Sequence, residues 1–167
     1  MKSKIGVIVA MLVVVGWALA SAQSPSLQGA WRVSEIVVTG ANASTNTSPQ
    51  PGLYVFTKQH YSIVTVNGTA SRKDVSPAKD PAKLTDAEKI ARYEMWNSFT
   101  ANSGTYEVKG TMLTTKPMVA KNAGVMTTQA TGQPREFKID GKTLTLIQKS
   151  AAGQPVSETR TKLTRVE

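Results

Sequence analysis

The 167-residue chain has no cysteine and one histidine, His60. Without a thiol it forms no disulfide, carries no lipid on a cysteine and offers no thiolate nucleophile. One imidazole excludes a metal site built on several histidines, and any Ser-His-Asp arrangement must use His60, which falls at an expected hairpin turn. No G-x-S-x-G elbow occurs to expose a serine nucleophile. No glycine-rich phosphate loop occurs either, since Gly104 and Gly110 read as turn glycines among strands. Acidic residues number 11 against 20 Lys and Arg, and carboxylates at helical spacing from a base, such as Glu88 with Arg92, read as surface pairs. These absences set binding ahead of catalysis, with no cofactor and no metal expected.

Long apolar runs are missing except at the start. Lys2 and Lys4 precede an apolar stretch from Ile5 to Ala20, and Ala20-Ser21-Ala22 supplies an A-x-A cleavage site. The stretch is shorter than the ~20 residues of a spanning helix. Residues 1–22 therefore read as a cleaved secretory signal, with the mature product expected in the periplasm or outside the cell and membrane contact only during export. Removing Lys2 and Lys4 with that leader lowers the formal charge from +9 to +7. The remaining Lys and Arg are scattered through turns and strand ends rather than clustered with aromatics along a groove, so nucleic-acid binding is not expected. Asn42, Asn46 and Asn67 each head an N-x-S/T sequon, which matters only in a host that glycosylates.

What is present is alternation between turns. Strands are expected over residues 27–39, 52–57, 60–66, 103–108, 111–118, 133–139, 142–149 and 156–166, with a single helix from Thr85 to about Ser98 after the third strand. Thr85-Asp86-Ala87-Glu88 has the form of a capping box. Residues 121–132 carry no clear pattern. Lys58-Gln59 as a loop sets Phe56 opposite Tyr61 and Tyr54 opposite Ile63. Two further segments share one plan, a β-branched residue, Lys-Gly or Asp-Gly, then Leu-Thr. Taking Lys109-Gly110 and Asp140-Gly141 as two-residue loops sets Tyr106 opposite Leu113 and Phe137 opposite Leu144, with Val108 opposite Thr111 and Ile139 opposite Lys142. The fold class is all-β, an eight-stranded antiparallel up-and-down barrel, because closure removes the two exposed edges that an open sheet would leave.

Four blocks in order, Gly29-Ala-Trp31, Pro51-Gly-Leu-Tyr-Val-Phe-Thr57, Ser103-Gly-Thr-Tyr-Glu-Val108 and Ile139-Asp-Gly-Lys-Thr-Leu-Thr-Leu146, resemble the bacterial lipocalin-like domain family. The resemblance spans about residues 27–166. It implies a calycin-type barrel and supplies no catalytic residues. By the same resemblance Trp31 should close the barrel base against the last strand, with Arg165 or Arg160 over its indole and Leu163 beside it.

An eight-stranded barrel is just wide enough for one small ligand. The expected lining is Tyr54, Phe56, Tyr61, Ile63, Tyr106 and Leu113, reached past the helix that carries Trp96, which serves either as a lid or as core. Glu35 has two readings. On a regular strand it shares the inward parity of Trp31 and Val33, where a carboxylate needs a partner such as Arg160 or Arg165. A bulge would instead turn it to solvent and bury Ile36 and Val38. Three function classes follow: a binding module for a small, largely apolar molecule; a cavity enzyme of isomerase or cyclase type using Glu35 or a tyrosine as acid or base; and an envelope protein-interaction module with a filled barrel. Oligomeric state is left open.

Overall fold

The computed structural model describes residues 26–167 apart from 73 and 152, so the expected secretory signal lies outside the described residues. The long first strand β1 (Gly29–Val38) is followed by a three-residue strand β2 (Ser44–Asn46), then β3 (Gly52–Phe56) and β4 (His60–Val66). Helix α1 (Asp86–Asn97) leads into β5 (Phe99–Lys109) and β6 (Met112–Ala120). A short helix α2 (Ala123–Thr128), β7 (Gln133–Asp140), β8 (Thr143–Lys149) and β9 (Glu158–Arg165) complete the order. Every pairing is antiparallel, and β1 also pairs with β9, which closes eight strands into a barrel with β2 as an extra piece on the far half of β1. The expected fold class holds. One position is corrected: β2 forms inside the expected loop, so the helix sits between the fourth and fifth strands rather than after the third.

Strand order divides the connections by length. β3–β4, β5–β6 and β7–β8 turn tightly at the end where Trp31 lies, while residues 39–51, 67–98, 121–132 and 150–157 make four long connections at the other end. The barrel thus has a closed base and an open end that carries both helices. The base is densely packed. Trp31, Phe56, Tyr61, Leu113, Leu144, Leu146 and Leu163 are all buried, with Tyr106, Phe137 and Ile139 against them. Fully burying side chains of this size contributes roughly 1.5–3 kcal/mol each.

The β3–β4 register is as expected, with Phe56 opposite Tyr61 and Tyr54 opposite Ile63. The two glycine hairpins differ by one loop position. Gly110 and Gly141 have φ of +59° and +55°, no non-glycine residue among those described has φ > 0, and the loops are Gly110-Thr111 and Gly141-Lys142. Positive φ at the first central residue alone is the pattern of a type II′ turn, whereas glycine in the second position would need its predecessor left-handed too. Tyr106 therefore faces Thr115 rather than Leu113, and Val108 faces Leu113. Phe137 faces Leu146 rather than Leu144, and Ile139 faces Leu144. Moving the loop by one residue moves each partner by two, so parity is kept and Tyr106, Leu113, Phe137 and Leu144 stay on the interior face.

Helix α1 starts at the expected capping box: the Glu88 amide donates to Thr85 Oγ1 at 3.3 Å, and the Thr85 amide donates to Glu88 Oε2 at 2.8 Å. The Thr85 amide, and the Thr85 hydroxyl that donates to the same oxygen at 2.8 Å, hold the Glu88 carboxyl below its ordinary range. None of the helix residues is buried, so α1 lies over the barrel without entering its core.

Candidate ligand-binding site

Inside the ring of strands, near the open end, lies a cavity of about 230 Å³ whose wall includes Val33, Ile36, Asn46, Tyr54, Thr65 and Thr161. It lies where β1 and β3 cease to pair beyond Arg32 and Leu53, above the filled lower barrel. Of the expected lining only Tyr54 reaches it. Phe56, Tyr61, Ile63 and Leu113 are core, and Tyr106 stacks edge-on to Phe56 at 5.4 Å while its hydroxyl donates to the Thr57 carbonyl at 2.6 Å. Large aromatics that alternate inward at a tight-turned base fill the narrow end of the barrel instead of enclosing space.

Glu35 is not part of the interior. The β1–β9 register shifts between Val33 and Glu35, so the strand bulges, Glu35 faces Lys162, and Ile36 packs against the core. Lys162 Nζ lies 3.0 Å from Glu35 Oε1 and 3.1 Å from Oε2 on the outer face. The partner is thus Lys162, neither Arg160 nor Arg165. Arg160 sits opposite Val37 and contacts Glu158, far along the strand from Trp31. Arg165 is opposite Trp31, its guanidinium carbon 4.1 Å from the ring centroid, and Leu163 is opposite Val33.

Trp96 is also outside the barrel. It is 55% exposed and lines a separate groove of about 390 Å³ between α1, β5 and α2, where it meets Phe99 edge-on at 5.2 Å. Lys121 caps both rings, its Nζ 4.9 Å from the Phe99 centroid and 5.7 Å from that of Trp96. The core role does not fit this exposure.

One interior residue was not anticipated. Arg135 alternates with Phe137 and Ile139 along β7, and the period-two parity that turns those two inward turns Arg135 inward as well. It reaches Tyr54. Burial pushes the Tyr54 hydroxyl above the ordinary phenol range, and the nearby charge of Arg135 opposes that rise. Tyr61 shifts the same way for the same leading cause, opposed by Arg135 and Thr115. Among the described residues no group of three His, Asp or Glu could hold a metal ion.

A family model described as lipocalin-like domain matches residues 28–165, and the chain belongs to that family. Among solved structures it is similar to an uncharacterized protein from Bacteroides eggerthii, with 10% identity over 84% of this chain and 99% of the other and a TM-score of 0.44. No curated protein matched the chain.

Proposed function

We propose that this is an exported lipocalin-like binding protein that holds a small, largely apolar molecule at the open end of its barrel. The observation that carries the reading is the cavity above Tyr54, walled by Val33 and Ile36 within the strand ring. Its ~230 Å³ falls below the roughly 300–1,000 Å³ of drug-sized sites, which selects a short ligand. The signal-like residues 1–22 support export to the periplasm or beyond. With Glu35 paired to Lys162 outside the barrel, the cavity-enzyme reading loses its carboxylate.

Native mass spectrometry of the protein purified from its own host tests this. A mass excess over the polypeptide that disappears on denaturation is expected. Ligand-free protein that also fails to take up any short amphiphile would remove the binding reading and leave the interaction module, for which the exposed Ile90, Tyr93 and Trp96 on α1 are the available surface.

A further inference from the structure

The groove outside the barrel, between α1, β5 and α2, is held together by more than its exposure requires. Phe99 lies between two cations, with the Arg72 guanidinium carbon 5.2 Å and Lys121 Nζ 4.9 Å from its ring centroid. Arg72 also donates to Ser98 Oγ at 3.0 Å and to the Met95 carbonyl at 3.3 Å, which ties the last turn of α1 to the connection that precedes it. Lys121 Nζ donates to the Phe99 carbonyl at 2.7 Å. Trp96 is thereby held against Phe99 and Lys121, yet more than half of it stays exposed, as does Tyr93 one turn earlier on the same helix face. A ring fixed in this way loses little further freedom when a ligand stacks on it.

The rest of the wall selects the class of ligand. No carboxylate lines the groove, and its one cation, Lys121, is committed to the Phe99 carbonyl and the two rings, so neither a cationic nor a phosphate ligand is matched. What remains is amide. Asn67 accepts from Thr100 Oγ1 at 3.1 Å and Asn122 accepts from the Gly124 amide at 2.9 Å, whereas the side chains of Asn97 and Asn102 make no hydrogen bond among the described residues. Each carboxamide offers two donors and an acceptor oxygen, which complements neighbouring hydroxyls that both donate and accept. A purely apolar ligand would leave the half-buried Asn102 amide unpaired. A pyranose supplies both parts, because its C–H face rests on the negative face of an aromatic ring while its hydroxyls reach the amides. The volume of about 390 Å³ lies within the roughly 300–1,000 Å³ of small-molecule sites and admits a short oligosaccharide. We propose that this groove is a second binding site, for a neutral oligosaccharide, in which Trp96 and Tyr93 carry the sugar face and Asn97 and Asn102 bond its hydroxyls. It is independent of the cavity inside the barrel.

The test is calorimetric titration of protein expressed from the full chain with cellotetraose, maltotetraose and mannotetraose, and with tetragalacturonate as their acidic counterpart. At least one neutral sugar should bind saturably, and tetragalacturonate should bind more weakly than that sugar. Trp31 is fully buried, so a change in tryptophan emission on binding reports Trp96. Trp96→Ala should weaken the neutral sugar about tenfold or more, and Asn102→Ala should weaken it several-fold. Trp96→Phe, which keeps a ring, should retain part of the affinity and covers the case in which the alanine variant does not fold. Absence of binding by all three neutral sugars up to their solubility limits would overturn the assignment, as would tighter binding of tetragalacturonate or an affinity that survives Trp96→Ala. Uptake of a short amphiphile by the barrel should be the same in the parent and in Trp96→Ala, so the two sites fail or stand separately.

Discussion

Arg165 lies face-on over Trp31, its guanidinium carbon 4.1 Å from the ring centroid, and the two residues are directly opposite in the β1–β9 pair. The same guanidinium donates to the carbonyls of Gln28, at 2.6 Å, and Ser26, while Trp31 Nε1 donates to the Leu27 carbonyl at 2.8 Å. One side chain therefore joins the last strand, the indole and the chain segment entering β1. Desolvated cation–π contacts contribute about 2 kcal/mol and hydrogen bonds from a charged donor about 1.5–3 kcal/mol. Arg165→Ala should cost about 2–4 kcal/mol in urea unfolding, whereas Arg165→Lys recovers only part because an ammonium cannot span both carbonyls while covering the ring. A loss below about 0.5 kcal/mol would show that β9 closes the barrel without this contact.

The hairpin register has a direct readout. Facing residues in a non-hydrogen-bonded antiparallel pair bring their Cα atoms to about 4.5 Å. Strong Hα–Hα cross-peaks are expected for Ile139 with Leu144 and for Val108 with Leu113. Strong cross-peaks for Lys138 with Thr143 and Glu107 with Met112, the non-hydrogen-bonded pairs of the other register, would place each glycine second in its loop and contradict the type II′ turns.

These hairpins also show where the sequence was legible. Alternation and glycine placed both loops and the inward faces, because parity survives a shift of the loop by one; which loop position the glycine takes depends on the backbone twist of the paired strands. The Glu35-Ile36 junction announced a change of parity, but only closure against β9, with Lys162 across from Glu35, decides which residue turns out. Arg135 was readable from Phe137 and Ile139 by the same alternation and is hidden by the habit of reading a charged residue as solvent-facing. Helix α2 has weak local pattern in Ala-Gly-Val-Met-Thr-Thr, starts on an Asn122 cap, and lies beside β6 where that strand has parted from β7. Its formation is a tertiary effect.

Helix α1 separates local from global stability. Thr85→Ala removes the hydroxyl that accepts from the Glu88 amide, leaves the backbone donor to Glu88 in place, and should cost the helix about 1 kcal/mol, read as faster amide exchange over its first turn. Because the helix buries none of its residues, the barrel's melting temperature should move by no more than about 1 °C. A barrel that melts several degrees lower would mean that α1 is part of the core's cooperative unit.

Alkaline pH should unfold the barrel from within. Tyr54 and Tyr61 have hydroxyls pushed above the ordinary phenol value of 10.0, chiefly by burial. A group with a raised folded pKa binds its proton more tightly in the native state, so stability is complete below pH ~10 and falls as pH rises through the folded value. Tyrosinate absorbance should therefore appear in two steps, the second coincident with unfolding, and Tyr54→Phe and Tyr61→Phe should each reduce the slope of stability against pH above ~10. One smooth titration with no loss of structure would place both phenols in contact with water.

The most direct test of a ligand at the open end is a two-dimensional NMR titration of the protein with octanoate. The account predicts saturable shifts confined to a contiguous set in and around Val33, Ile36, Tyr54, Thr65 and Thr161, with the Trp96 indole and its groove unmoved. Shifts centred on Trp96, Phe99 and Lys121, with the barrel interior silent, would contradict it.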